Sequence, residues 1–432
     1  MRLAVTALAA LACSAIACSR TGGGASSATP GAPTESPPVA SVGSLSPAAP
    51  LPIDADALHA AAVVIDTHDD VTQRLMVAGS DLGASLPGAQ TDIPRMRQGG
   101  LDAEFLSVWV APMLYPGEKA YARSVQELDA IDAMISKNGS SAVLARTAAD
   151  VRAAAATGKT AFLIGVEGGH SLGDASDEEL LRRVRTFYDR GARYMTLTWS
   201  NSNRLGGSSG DAGKDRGLTP FGERVVHLMN DLGMLVDISH VSDATFTDAV
   251  RTSRLPVLAS HSSSRALSPH PRNMTDDMLR AVRDNGGAVC INFGPEFLDA
   301  DWNARWKAAT STADIGAIVK AHPRDPEAAQ AAIWEKFEAL ARTFPEVPAS
   351  KVIDHIEHVA KVAGVDHTCL GSDFDGIPAG PAGLEDVSKF PVVTRELVAR
   401  GFTPADVRKI LGENVLRVLE ESEHGAIARE KQ

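Results

Sequence analysis

The chain is expected to fold as an α/β protein, a (β/α)8 TIM barrel with a helical insertion between its seventh and eighth strands. One observation is a series of eight short apolar runs, the number a closed parallel barrel requires, most of them followed by an amphipathic stretch. Another is that residue types able to bind a metal recur just after these runs. The third is bulk: 432 residues, 44% hydrophobic and 22% charged, suffice to bury a barrel-sized core.

In chain order, Arg2 precedes an apolar run, 3–17, that is too short to span a bilayer and ends in small residues before Cys18. It reads as an export signal, 1–17. Ala15-Ile16-Ala17-Cys18 resembles the lipobox of bacterial lipoproteins, which implies cleavage before Cys18 and lipidation of its thiol. The expected location is then the bacterial cell envelope, with a membrane as partner through that anchor. Residues 18–52 are dominated by Ala, Gly, Ser and Pro and are expected to be a disordered tether.

The barrel domain is assigned to 53–425, with strands expected at 62–66, 103–110, 161–166, 194–199, 234–239, 256–260, 287–293 and 368–371. Outer helices are expected at 177–189, 220–232, 276–283 and 353–363, with start signals at Thr219-Pro220 and Ser242-Asp243. The insertion, 299–348, carries Trp302, Trp306 and Trp334 at spacings that favour packing over recognition. The charged segment 420–432 reads as a loose tail, and Cys290 and Cys369 read as buried core residues rather than a disulfide scaffold. The net charge of -12 and the absence of any Lys/Arg run longer than two argue against a nucleic-acid partner. Monomer and homodimer both remain open.

His68 and Asp70 follow the first expected strand, Glu167 ends the third, His240 the fifth and His261 the sixth, and Asp373 follows the eighth. The C-terminal strand ends of such a barrel converge on one face, so residues three hundred positions apart would meet. Clustered carboxylates and imidazoles repel or stay unsatisfied unless a cation holds them. Three imidazoles with carboxylates suit Zn²⁺, while Mn²⁺, Co²⁺ and Ni²⁺ remain open from ligand type. Six candidates exceed what one catalytic ion needs. Two ions sharing Glu167 use them better, and a bridging hydroxide between them would hydrolyse a polarised bond. Asp373 is then free to carry the proton from water to the leaving nitrogen.

These segments resemble the membrane dipeptidase (renal dipeptidase) family of metallopeptidases in the amidohydrolase superfamily. They include Asp66-Thr67-His68-Asp69-Asp70, Glu167-Gly168-Gly169-His170, Asp237-Ile238-Ser239-His240, Ser260-His261-Ser262, Arg272-Asn273 and Gly371-Ser372-Asp373-Phe374-Asp375-Gly376, in family order from about Leu58 to Leu419. The resemblance implies two Zn²⁺ per chain, with His68 and Asp70 on one, His240 and His261 on the other, Glu167 bridging and Asp373 as proton carrier. It also implies that Arg272 binds the terminal carboxylate of a small peptide substrate and that a C-terminal D-residue is tolerated.

One departure stands out: animal members have a His after the fourth strand, where this chain has Trp199, with Asn201 or Asn203 as replacement hydrogen-bond donors. His170 reads as structural, Asp375 as a tie for the last loop, and Lys159-Thr160 as a turn. The alternatives are another metal-dependent amide or ester hydrolase, and a lipid-tethered binding protein without turnover. The latter has no use for a proton carrier.

Overall fold

The computed structural model describes residues 53–78, 80–211 and 216–430. The export signal, the Cys18 anchor and the tether lie outside the described residues. Nine strands form one sheet: β1 (Ile65–Asp69), β2 (Ala103–Trp109), β3 (Ala142–Leu144), β4 (Thr160–Glu167), β5 (Ala192–Thr196), β6 (Leu235–Asp237), β7 (Val257–Ala259), β8 (Ala288–Ile291) and β9 (Thr368–Leu370). Eight of them succeed one another as β1-β2-β4-β5-β6-β7-β8-β9, and every pairing is parallel. The extra strand, β3, lies off this path and pairs with β4.

The first strand brings the ring almost to closure against the segment after the last. Asp69 bridges Phe374, the Asp70 N–H donates to the Phe374 carbonyl at 2.8 Å, and the Asp373 N–H donates to the His68 carbonyl at 3.0 Å. The closing seam therefore runs through three of the residues singled out in the sequence. Inside the barrel Ile65, Phe105, Leu163, Tyr194, Leu235 and Leu258 form a buried layer, while alternate residues such as Leu106, Val108 and Ile164 face the helices.

Helices Asp177–Asp189 and Pro220–Leu232 have the expected bounds because their caps are explicit. Ser176 and Thr219 accept N–H bonds at the starts, and Gly233 closes the second in the left-handed conformation. The insertion forms helices Ala300–Thr310, Ile315–Ala321 and Pro326–Ala341 between β8 and β9. Two of its three tryptophans pack as expected: Trp302 and Trp306 stack at 5.2 Å, and both meet Phe344 edge-on.

Three expectations need correction. The first strand is Ile65–Asp69, three residues later than the apolar run suggested, because buried polar residues continue the strand into the site. Segment 420–430 is no loose tail but the end of helix Asn414–Glu430, whose Val415, Leu416, Val418 and Leu419 join the barrel's inner cluster and whose Glu423 accepts the Ala148 N–H at 3.0 Å. Cys290 and Cys369 are fully buried as expected, yet they form a disulfide, because β8 and β9 set them directly opposite each other with Cα atoms 4.1 Å apart. Among the described residues no helix is long and apolar enough to cross a membrane.

Candidate metal centre

His68, Asp70, Glu167, His240, His261, Arg272 and Asp373, drawn from five strand ends and their loops, all meet at the C-terminal mouth, and all are buried. Glu167 ends β4 and divides its carboxylate. One oxygen, Oε2, stands 3.6 Å from His68 Nε2, while Oε1 stands 2.9 Å from His240 Nε2 and 3.6 Å from His261 Nε2. Asp70 Oδ2 lies 3.7 Å from His68 Nε2 on the first side. Asp373 offers a carboxylate oxygen to the same side, within 4.8 Å of the His68 and Asp70 ligand atoms, so it stands within ligand reach as well as beside the reacting position.

Hydrogen bonds decide which imidazole nitrogens are free. The Tyr194 hydroxyl donates its single proton to the Thr67 carbonyl at 3.1 Å, so it accepts from His68 Nδ1–H at 2.7 Å. That leaves His68 Nε2 aimed at Asp70 and Glu167 with no hydrogen-bond partner. Likewise Ser260 Oγ donates to Asp237 Oδ2 at 2.7 Å and accepts from His261 Nδ1–H at 2.8 Å, which turns His261 Nε2 into the site, 2.9 Å from His240 Nε2. Carboxylate–hydroxyl–imidazole relays of this kind orient metal-binding histidines. Asp237 itself is held by Thr196 and by the N–H groups of Ser239 and Ser260, each of these two at 3.0 Å.

The electrostatics favour a cation. Burial drives His240 down to about 3, with Arg272 adding to the effect, and burial together with His68 holds His261 well below its ordinary range. Both rings are therefore neutral donors at pH 7. Burial raises Asp70, with Glu167 adding to it, and raises Asp373 well above the usual carboxylate range, with Asp70 and Glu167 adding to it. Asp70 Oδ1 and His240 Nδ1 are further buried polar atoms without a hydrogen-bond partner. Candidate ligand atoms around Glu167 stand 2.9–3.7 Å apart, on either side of the roughly 3.4 Å edge of a tetrahedron with zinc bonds of about 2.1 Å. The donor set thus fits divalent metal.

The backbone supports the same conclusion. Among the described residues the non-glycine positions with positive φ are His240 (65°), Asp373 (65°) and Asp375 (57°). Strain retained at two predicted site residues is typical of a functional centre. Asp375 ties the loop as expected, accepting from Arg74 and from the Thr91 N–H at 3.0 Å. His170 bonds the Val110 carbonyl at 2.8 Å, a structural role. Asn203 is committed to the Leu197 carbonyl and the Leu205 N–H, whereas Asn201 keeps its side-chain oxygen unpaired. Lys159 directly precedes β4.

Arg272 lies beside the centre. Its Nη2 donates to the His261 carbonyl at 3.1 Å, its guanidinium sits 5.3 Å over the Phe297 ring, and its buried Nε has no partner. A buried cation with an open donor suits an anionic substrate group. The supporting residues Tyr194, Asp237, Ser260 and Asn292 were not found in the sequence. Asn292 donates to Asp373 Oδ2 at 2.8 Å while its own oxygen accepts the Gly294 N–H at 2.5 Å, so the amide has one orientation.

A family model described as membrane dipeptidase (peptidase family M19) matches residues 53–432. Among solved structures, the probable dipeptidase PvdM from Pseudomonas aeruginosa is 24% identical, covers 86% of this chain and 98% of its own, and superposes with a TM-score of 0.73, a likeness of fold. Dipeptidase AC, a family M19 metallopeptidase, is 27% identical over 84% of this chain and 98% of its own, with a TM-score of 0.68. A metallopeptidase from Rhodobacter sphaeroides, liganded with a phosphinate mimic of the dipeptide L-Ala-D-Ala, is 26% identical over 84% of this chain and 99% of its own, also with a TM-score of 0.68.

Proposed function

The protein belongs to the membrane dipeptidase family of metallopeptidases, and from that premise we propose that it hydrolyses dipeptides at a centre of two zinc ions. The observation that carries this reading is Glu167, whose two oxygens face separate imidazoles, Oε2 that of His68 and Oε1 those of His240 and His261. His68, Asp70 and Glu167 would hold one ion, and Glu167, His240 and His261 the other. When bound, the ions would supply Lewis acidity at the scissile carbonyl and lower the pKa of the attacking water toward neutrality.

The chain's own residues do the rest. Arg272 receives the substrate's terminal carboxylate, which places the peptide bond over Glu167. Asp373, fixed by Asn292 and kept proton-avid by burial, takes a proton from the attacking water and delivers it to the leaving amine. Protonation of that nitrogen is what lets the C–N bond break. Dipeptides with a C-terminal D-residue fall within the proposed range. The ligand of the Rhodobacter relative, a mimic of L-Ala-D-Ala, supports that.

We place the enzyme at the cell envelope, anchored through Cys18. The apolar run 3–17 supports export, as does the buried Cys290–Cys369 disulfide, since such bonds form in oxidising compartments. The test of function sets dipeptides beside N-acyl amino acids, which lack a free amino group. Chelator-sensitive cleavage of the dipeptides is expected. Turnover of the acyl amino acids alone would replace this reading with that of another amide hydrolase.

A further inference from the structure

Trp109 and Trp199 come from the two strands that flank β4, yet their rings meet at 5.0 Å beyond its end. Inward-facing β2 residues alternate from Phe105 in the barrel layer, through Ser107, which reaches Glu167, to Trp109, whose Cα pairs in register with that of Glu167. The Trp199 ring lies 6.3 Å from that of His240. Gly168 lies against both His170 and Trp199: a Cβ there would stand 2.5 Å from His170 Nδ1 and 3.1 Å from Trp199 Cβ. The backbone of Trp199 is pinned as well, since the Ser208 hydroxyl donates to its carbonyl. Both indoles are half-buried, and Trp109 Nε1–H is buried without an acceptor. An aromatic pair with remaining open surface beside a polar centre is what ligand pockets are lined with.

Arg272 follows β7 and bonds the His261 carbonyl at that strand's end. In the ring order, three strands separate β2 from β7 in either direction, so Trp109 stands across the mouth from Arg272. We infer that Trp109 and Trp199 form the wall that receives the side chain of the substrate's amino-terminal residue, and that the enzyme selects dipeptides with a large apolar or aromatic residue there. This rests on the dipeptidase reading: a dipeptide whose carboxylate is held by Arg272 and whose peptide bond lies over Glu167 extends its first residue toward these rings.

The experiment measures kcat/KM on the zinc-loaded full chain for Phe-Ala, Leu-Ala and Gly-Ala, and for Ala-Phe and Ala-Gly, in wild type, Trp109→Ala and Trp199→Ala. Filling an apolar wall is worth roughly tenfold to two-hundredfold in discrimination. Wild type should therefore prefer Phe-Ala to Gly-Ala by at least about tenfold, and each variant should erase most of that ratio while shifting the Ala-Phe to Ala-Gly ratio far less. A flat wild-type profile across the amino-terminal series overturns the inference even if a variant fails to fold, as does a loss of selectivity confined to the carboxyl-terminal series. Failure of the underlying reading is a different result, namely no cleavage of any dipeptide.

Discussion

Ser260→Ala is a one-atom test of how the centre is built. Ser260 Oγ is fully buried between Asp237 Oδ2 at 2.7 Å and His261 Nδ1 at 2.8 Å. Removing it leaves Asp237 with its other donors but deprives the His261 N–H of its acceptor, and an unsatisfied buried donor costs about 1–3 kcal/mol. Loss of a partner that orients a metal ligand typically costs about 10–100-fold in affinity, or about 1.4–2.8 kcal/mol. The two estimates agree, so zinc affinity on the His240/His261 side should fall by about 10–100-fold. The His68 side should hold, because Tyr194 still fixes that ring. Chelator competition with stepwise zinc titration resolves the two affinities, and the melting temperature of the metal-free protein reports folding. Unchanged affinity at both steps would refute the orienting role, and equal loss at both would show general damage instead.

Other consequences follow from the same geometry. Asp373→Asn should lower kcat by roughly 10²–10⁴-fold while a metal assay still finds the ions bound; full activity would remove Asp373 from proton transfer. Arg272→Lys keeps the charge but loses the fork, so KM should rise roughly 10–100-fold, with little change for an amidated dipeptide that has no carboxylate. His355 accepts the Ser264 N–H at 3.0 Å and faces the Leu298 carbonyl at 3.2 Å, a neutral ring that burial holds near about 4 against an ordinary 6.5. The native state therefore binds fewer protons than the unfolded chain, and stability should decline from pH 6.5 to 4 by on the order of 3 kcal/mol, a slope that His355→Gln should flatten. The disulfide spans 79 residues, so its reduction should cost about 4.5 kcal/mol, read from denaturant melts with and without reductant.

The barrel was legible because its signals are local. Apolar runs end in polar residues at most of the eight ring strands, and helices such as Pro220–Leu232 carry a capping Thr219 and a terminal Gly233. The candidate site was legible because its imidazoles and carboxylates fall at strand ends, and the fold brings strand ends together. What could not be read depends on pairing across the chain. The Cys290–Cys369 bond needs the β8–β9 register, which no spacing encodes. Tyr194 looks like any strand aromatic until its hydroxyl is found 2.7 Å from His68, and Ser260 looks like a turn residue until Asp237 faces it. The shift of β1 has a related cause: Thr67, His68 and Asp69 are buried for function, so hydrophobicity understates how far the strand runs. Segment 420–430 was missed because the apolar residues that hold its helix down precede it, at 415–419.

The most direct test of a two-ion dipeptidase is zinc titration of the metal-free chain, with bound zinc and hydrolysis of an apolar dipeptide followed on the same samples. The account predicts saturation at two ions per chain, activity that appears only as both are filled, and loss of the second equivalent in Glu167→Gln. Full activity at one ion per chain, or in the presence of excess chelator, would contradict it.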